Sequence, residues 1–330
     1  MKILLIAPYG IGNVILALPA MKQLRDHFPE ARIDCLTTLR SVYHVVTGVP
    51  DFRLFQNIYQ LTVRDMLTII RQRYDYSLLL FPSPKIHYNL LNFFTLAKKR
   101  IGSRFPGSGI MQGTFLNTHS VLVKPGLHDV YQNLELLSVW GIKGRRVSRL
   151  VSLLADRNKR KTVGVHPGCK IKDHYKKWDN GKYAGIIRLI LDRTSYRIKL
   201  FFGPDEMEHY QYFYEIFKEN KRISYVHHQS IRSVFNEINE CRFFLSNDTG
   251  LMHIANFLGV YNIVLAGPSD WRRTGLFNRP YQLIRMDLNC IPCSHTYHLS
   301  SYRFRCIYGD IRCMKEISVK KVWKILEMVL

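Results

Sequence analysis

Apolar residues fall into short, nearly unbroken runs separated by longer segments whose apolar positions recur at helical spacing. Lys2-Ile3-Leu4-Leu5-Ile6-Ala7 is the first run, the kind a parallel strand needs when both of its faces are covered. Pro8-Tyr9-Gly10-Ile11-Gly12-Asn13 reads as a loop, and the spacing predicts a helix over 14–28. Residues 33–36 and 76–81 read as further strands with helical stretches between them, and a helix over 129–140 is closed by Gly141.

A polar run without periodicity, Asp156-Arg157-Asn158-Lys159-Arg160-Lys161, then interrupts the alternation and reads as an interdomain linker. The pattern restarts with Thr162-Val163-Gly164-Val165-His166-Pro167-Gly168 and continues through strands at 198–203, 223–226, 243–247 and 262–267. A final amphipathic helix over 318–330 has Ser318 as its cap. Two successive βα series predict two doubly wound α/β domains, an N-terminal one over 1–155 and a C-terminal one over 162–330.

The sharpest chemical signal is Phe243-Phe244-Leu245-Ser246-Asn247-Asp248-Thr249-Gly250-Leu251-Met252-His253, a buried strand running into a polar turn and then a helix that stops at Gly259. The first N–H groups of a helix have no partner within it and face an incoming anion. Thr249 and Gly250 offer a hydroxyl and an amide without bulk, and Asp248 can cap the helix. On these residues alone a phosphate site and an ordinary capped turn are equally good readings. Gly10 and Gly12 point to close approach of a ligand after the first strand, but no third glycine opens the helix, so a nicotinamide cofactor is poorly supported.

Charge narrows the partners. Lys and Arg outnumber Asp and Glu 48 to 25, a formal net charge of +23 with a pI near 9.8, so the field attracts polyanions. No zinc-finger or RNA-recognition pattern accompanies it, which argues against nucleic acid and leaves an anionic membrane face or a phosphorylated glycolipid. Seven cysteines, an odd number, fit a reducing compartment better than a disulfide framework. Pro8, Gly10, Gly12 and Asn13 break the N-terminal apolar run, against a signal peptide, and no stretch of 18 uninterrupted apolar residues occurs. These features together predict a cytoplasmic protein that touches the inner face of the membrane.

The loop Gly10-Ile11-Gly12-Asn13, His166-Pro167-Gly168 and Ser246-Asn247-Asp248-Thr249-Gly250-Leu251-Met252-His253 together resemble glycosyltransferase family 9, the lipopolysaccharide heptosyltransferases. Gly267-Pro268-Ser269-Asp270 with Arg272, Arg273 and Gly275 resembles a late loop of that family, and Cys290-Ile291-Pro292-Cys293 with Cys306 and Cys313-Met314 a cysteine pattern near its C-terminus. The resemblance implies a GT-B fold, with an N-terminal acceptor domain and a C-terminal nucleotide-sugar domain facing across a cleft. It implies inverting, metal-independent transfer of heptose from ADP-heptose to a lipopolysaccharide inner-core acceptor, an anionic glycolipid. Asp248, Thr249 and Gly250 would hold the pyrophosphate with His253 at the same helix end. Lys176 would neutralise the leaving phosphate, and Asp205, after Gly203-Pro204, would lie near the donor ribose.

The chain departs from the family at Asn13, where an aspartate is expected as general base. An amide cannot take a proton at neutral pH, so Asn13, with Gly12, is expected to line the acceptor site, and His128 and Asp51 are substitutes by residue type only. Transfer of another nucleotide sugar, or sugar-nucleotide and glycolipid binding without catalysis, are the rival readings. Cys290, Cys293, Cys306 and Cys313 suggest either a four-thiolate metal site or a buried, redox-labile cluster; the uneven second spacing favours the cluster. Residues 297–305 between them read as a surface loop. Arg40, Arg64, Lys98, Lys99, Arg100 and Arg104 are candidates for contact with an anionic acceptor, although ordinary solvated surface charge is the better reading of any single one.

Overall fold

A computed structural model describes residues 1–107, 112–155, 161–294 and 306–330. Most of the expected linker and the whole 297–305 stretch lie outside the described residues. The described chain forms two compact units that meet in sequence between Leu150 and Val151.

The first unit contains β1 (Lys2–Ala7), β2 (Arg32–Thr37), β3 (Ile58–Gln60), β4 (Tyr76–Leu79), β5 (Lys99–Arg104) and β6 (His119–Leu122), in the order β3-β2-β1-β4-β5-β6. The second contains β7 (Thr162–His166), β8 (Arg197–Phe201), β9 (Ile223–Val226), β10 (Phe243–Asn247), β11 (Tyr261–Leu265) and β12 (Tyr281–Ile284), in the order β12-β11-β10-β7-β8-β9. All pairings within both sheets are parallel. Counted from its own first strand, each unit has the same Rossmann-like order. The strand order therefore reverses between β1 and β4 in one unit and between β7 and β10 in the other, and ligands of such sheets bind at the carboxyl ends of those strands.

The central strands are buried on both faces, which is why they read as unbroken apolar runs: Ile3, Leu4, Leu5 and Ile6 are all fully buried. In the second unit Val163, Val165, Leu245 and Ile263 of the sheet pack with Trp178, Tyr183, Ile187 and Phe213 from the connecting segments. The C-terminal helix, Val319–Glu327, closes that core through Val322 and Leu326. Its cap is Ser318, whose hydroxyl accepts from the Lys321 amide at 3.2 Å. Among the described residues no helix is long and apolar enough to cross a membrane.

One boundary differs from expectation. The first helix spans Ile11–His27, not 14–28, with Gly10 as an extended N-cap (φ −69°, ψ 178°). Gly12 and Asn13 therefore belong to its first turn rather than to a loop. Glycine lowers helix propensity, which hid this start, but the Asn13 and Val14 amides both turn back to the Gly10 carbonyl.

Candidate functional site

The candidate site grows out of the reversal point of the second sheet. β7 and β10 pair with Ser246 beside His166, so the chain leaves both strands at the same level, His166-Pro167-Gly168 on one side and Asp248-Thr249-Gly250 on the other. Asn247, fully buried, ties the two exits together. Its side-chain amide donates to the carbonyls of Pro167 (2.9 Å) and Gly168 (3.1 Å). Its carbonyl oxygen accepts from the Trp178 amide (3.1 Å) and the Tyr183 hydroxyl (3.0 Å). All its polar groups are satisfied without solvent, which fixes the backbone around the turn.

The helix after β10 spans Gly250–Phe257 and its N-cap residue is Thr249, with no side-chain capping bond. The expectation that Asp248 caps this helix is therefore corrected: Thr249 holds the N-cap position, and the Asp248 carboxylate before it accepts from Lys176 Nζ at 2.9 Å. A buried ammonium is the stronger attraction for that carboxylate than one more helix amide. The Gly250–Phe257 helix thus opens on Thr249 and Gly250, and their surroundings are set by neighbouring side chains. His253, the fourth helical residue, is buried at the same end.

Lys176 reaches this position from the 3₁₀ turn Ile171–Lys176. Two residues later the fully buried Trp178 anchors the segment, its indole N–H donating to the Ile317 carbonyl at 2.9 Å. Lys176 and Asp248 have side chains only 9% and 7% exposed. Burial alone would lower the lysine's pKa, but the Asp248 charge and hydrogen bond outweigh it and raise the pKa above its ordinary value. Lys176 is therefore a full positive charge at neutral pH, in a site with little competing water.

A second chain of contacts lies beside the first. His166 Nδ1 is 3.1 Å from the Thr249 hydroxyl, and His166 Nε2 is 3.1 Å from the Glu206 carboxylate. Glu206 also accepts from the Gly203 amide at 2.6 Å. Burial alone would raise the Glu206 pKa, but His166 and the Gly203 amide reverse the effect and bring it down to about 2. Gly168 makes room for this carboxylate: a Cβ there would come within 2.3 Å of it.

Lys176, Asp248, Thr249, Gly250 and His253 all come to this one end of the second sheet. Asp205 lies at the same end on the exposed turn after β8, while the neighbouring Glu206 is the buried acid in contact with the cluster. The sequence reading missed Glu206, His166 as a side chain, and Asn247. The adjacent acids Asp205-Glu206 were the available signal, and side-chain reach separates them. Gly12 and Asn13 sit at the equivalent end of the first sheet, in the first turn of the Ile11–His27 helix, with Gly12 buried and Asn13 half-buried. Nearby, Tyr9 packs against Phe81 and Tyr88, each at 4.7 Å between ring centres.

The two substitutes for a base both hold local structure. His128 Nδ1 accepts from the Val130 amide at 3.2 Å as the cap of the Asp129–Glu135 helix, and Asp51 is buried with Lys22 Nζ 3.7 Å away. Cys290, Cys293 and Cys306 are half-buried and Cys313 is buried, all as free thiols. Among the described residues no three His, Cys, Asp or Glu side chains are grouped to hold a metal ion.

Comparison with known proteins follows the same lines. The chain is 22% identical over 335 residues to lipooligosaccharide heptosyltransferase 2 of Campylobacter jejuni, with 98% of this chain and 97% of the relative covered. Among solved structures it is similar to an E. coli ADP-heptose lipopolysaccharide heptosyltransferase II, with TM-score 0.73, 19% identity, and 99% and 98% of the two chains covered. It is also similar to the family 9 glycosyltransferase of Veillonella parvula, with TM-score 0.77, 17% identity, and 99% and 96% covered. These likenesses identify both Rossmann-like units as those of a GT-B fold. Residues 68–301, more than half of the chain, match glycosyltransferase family 9 (heptosyltransferase), and the protein is accordingly a member of that family and a glycosyltransferase.

Proposed function

We propose that this enzyme transfers heptose from ADP-heptose to a lipopolysaccharide inner-core acceptor, with inversion at the anomeric carbon and without a metal. The observation that carries the reading is the buried Lys176–Asp248 pair beside the opening of the Gly250–Phe257 helix, at the reversal point of the second sheet. Relatives over nearly the whole chain length are lipooligosaccharide heptosyltransferases, and one structural neighbour is an E. coli heptosyltransferase with ADP-2-deoxy-2-fluoro heptose (TM-score 0.72).

In this reading the acceptor hydroxyl oxygen attacks the anomeric carbon while the bond to the β-phosphate oxygen breaks, and ADP leaves with the bonding pair. Negative charge grows on the departing diphosphate. The first amides of the Gly250–Phe257 helix and the Thr249 hydroxyl supply fixed dipoles, and Lys176 supplies a full charge. Asp248 keeps that ammonium in place before the donor arrives, so little reorganisation remains for the chemical step. His166 and Glu206 hold the Thr249 side chain from behind. Asn13 orients the acceptor by hydrogen bonds, and the hydroxyl proton passes to a group other than Asn13.

Steady release of ADP from ADP-heptose only when a heptose-deficient core acceptor is present is the expected result. Donor binding with no release would instead support a binding protein without catalysis, the reading that Asn13 favours, and turnover of a different nucleotide sugar in preference would reassign the donor.

A further inference from the structure

The helix Ile86–Phe94 of the first unit buries asparagines and leaves part of its apolar surface exposed. Its fully buried residues are Asn89 and Asn92, Tyr88 and Leu91 pack partly buried against the inner cluster, and Ile86 and Phe94 are exposed. The asparagines are fully employed. Asn92 donates to the Ile101 carbonyl (3.2 Å) and to Asn117 (2.9 Å) and accepts from Ser77 (2.6 Å). Asn89 donates to the Gln112 carbonyl (2.8 Å) and accepts from Asn117 (2.8 Å). Polar anchors of this kind help hold the helix while Ile86 and Phe94 stay exposed.

Ile86, Leu90, Phe93 and Phe94 follow the i, i+4, i+7, i+8 spacing of one helix face. Beyond the helix, the stripe is extended by Leu96 and by Phe115 of the short turn Thr114–Leu116, which packs against the helix: a Cβ on Gly113 would lie 2.9 Å from Ile86. Phe94, Leu96 and Phe115 are 55%, 57% and 67% exposed. The helix Val63–Gln72 shares the inner cluster of Leu4, Ile6, Leu79 and Ala97 with Ile86–Phe94, through Ile69 and Met66, and so lies on the same face of the sheet. It presents Val63, 79% exposed, and Leu67 outward.

The segment that carries this face is one-sided in charge. Residues 61–117 carry Arg64, Arg71, Arg73, Lys85, Lys98, Lys99, Arg100 and Arg104 against only Asp65 and Asp75. Asp75 is paired with Lys98 at 2.9 Å. Asp65 accepts from the Gln60 amide at 2.8 Å. The Arg100 guanidinium lies 5.3 Å from the Phe93 ring and donates to the Leu116 carbonyl, which places a cation at the border of the apolar stripe. Protruding apolar side chains rimmed by lysine and arginine fit an anionic bilayer surface: the apolar groups enter the acyl boundary and the cations meet the headgroups. A second protein copy would carry the same +23 and be repelled.

We infer that the outer face of Ile86–Phe94, with Leu96, Phe115 and the outer face of Val63–Gln72, is a docking surface for an anionic lipid bilayer. It extends the reading above, in which the acceptor is a glycolipid. The inner side of the same helix carries Tyr88 against Tyr9 of the loop preceding Asn13, so a docked helix lies directly behind the candidate acceptor loop.

Flotation of the purified protein with vesicles of 30% phosphatidylglycerol in phosphatidylcholine, free of donor and acceptor, tests this apart from transfer. The expected result is binding to these vesicles and not to pure phosphatidylcholine, weakened by salt. The double variant Phe94→Ser/Phe115→Ser should lower the partition coefficient about tenfold or more. The control Leu153→Ser, at an equally exposed leucine of the second unit, should leave it unchanged, with all three proteins melting alike. No binding, equal binding to neutral vesicles, or an unchanged double variant would overturn the inference. So would a concentration-dependent dimer that the double variant abolishes, since the face would then belong to a second copy.

Discussion

Replacing Lys176 by methionine separates its structural pairing with Asp248 from its proposed role at the leaving phosphate. Lys176 and Asp248 are 2.9 Å apart with side chains below one-tenth exposed. The substitution therefore leaves a buried carboxylate without its counter-charge, at a cost of about 3–5 kcal/mol. For a unit of this size that lowers Tm by roughly 10 °C. Adding Asp248→Asn removes the stranded charge, and the double variant should recover most of the lost stability, a coupling visible in a double-mutant cycle. Catalysis should not recover with it. Loss of one preorganised donor to a growing negative charge costs about 10² to 10³ in kcat, and neither replacement is cationic. Thermal unfolding and ADP-release kinetics on the four proteins of the cycle measure both quantities. A double variant that regained turnover along with stability would refute the assignment of Lys176 to the leaving phosphate.

Three further outcomes follow from other contacts. Glu206 has its folded pKa lowered to about 2 from 4.5, so its stabilisation is fully present above pH 4.5 and is lost as pH falls towards 2. Glu206→Gln should then cost roughly 3 kcal/mol at neutral pH, with the gap from the unaltered protein closing between pH 4.5 and 2 in urea titrations. Gly168→Ala drives a methyl into the same carboxylate and should destabilise by about 1–3 kcal/mol; addition of Glu206→Ala should relieve part of that cost, again by urea titration. Asn13→Ala should raise acceptor KM while leaving ADP affinity unchanged, as read by steady-state kinetics and calorimetry; unchanged acceptor KM and kcat would remove Asn13 from the acceptor site.

Much of the second unit could be read from the chain because its strands are buried on both faces and its helix ends carry explicit caps. Phe243–Asn247, the turn after it, Gly259 in the left-handed region (φ +70°) and the Ser318 cap are all local features. Lys176 comes from the resemblance to the family alone, and the buried Trp178 two residues later is what fixes the segment that carries it. What the sequence could not resolve depends on side-chain reach. Asp205 and Glu206 both follow Gly203-Pro204, but only the longer side chain, on the buried residue, returns to the Gly203 amide and meets His166. Asp248 as a cap was a reasonable local reading, but the N-cap falls on Thr249 and the carboxylate meets an ammonium from 72 positions away. The short edge strands β3 and β6 have half-buried or exposed residues throughout, and the Ile86–Phe94 helix buries asparagines while Ile86 and Phe94 stay exposed.

A crystal structure with ADP bound tests the central claim most directly. The account predicts the β-phosphate within hydrogen-bonding distance of the Gly250 amide, the Thr249 hydroxyl and Lys176 Nζ. ADP well ordered elsewhere on the protein, with this turn empty, would contradict it.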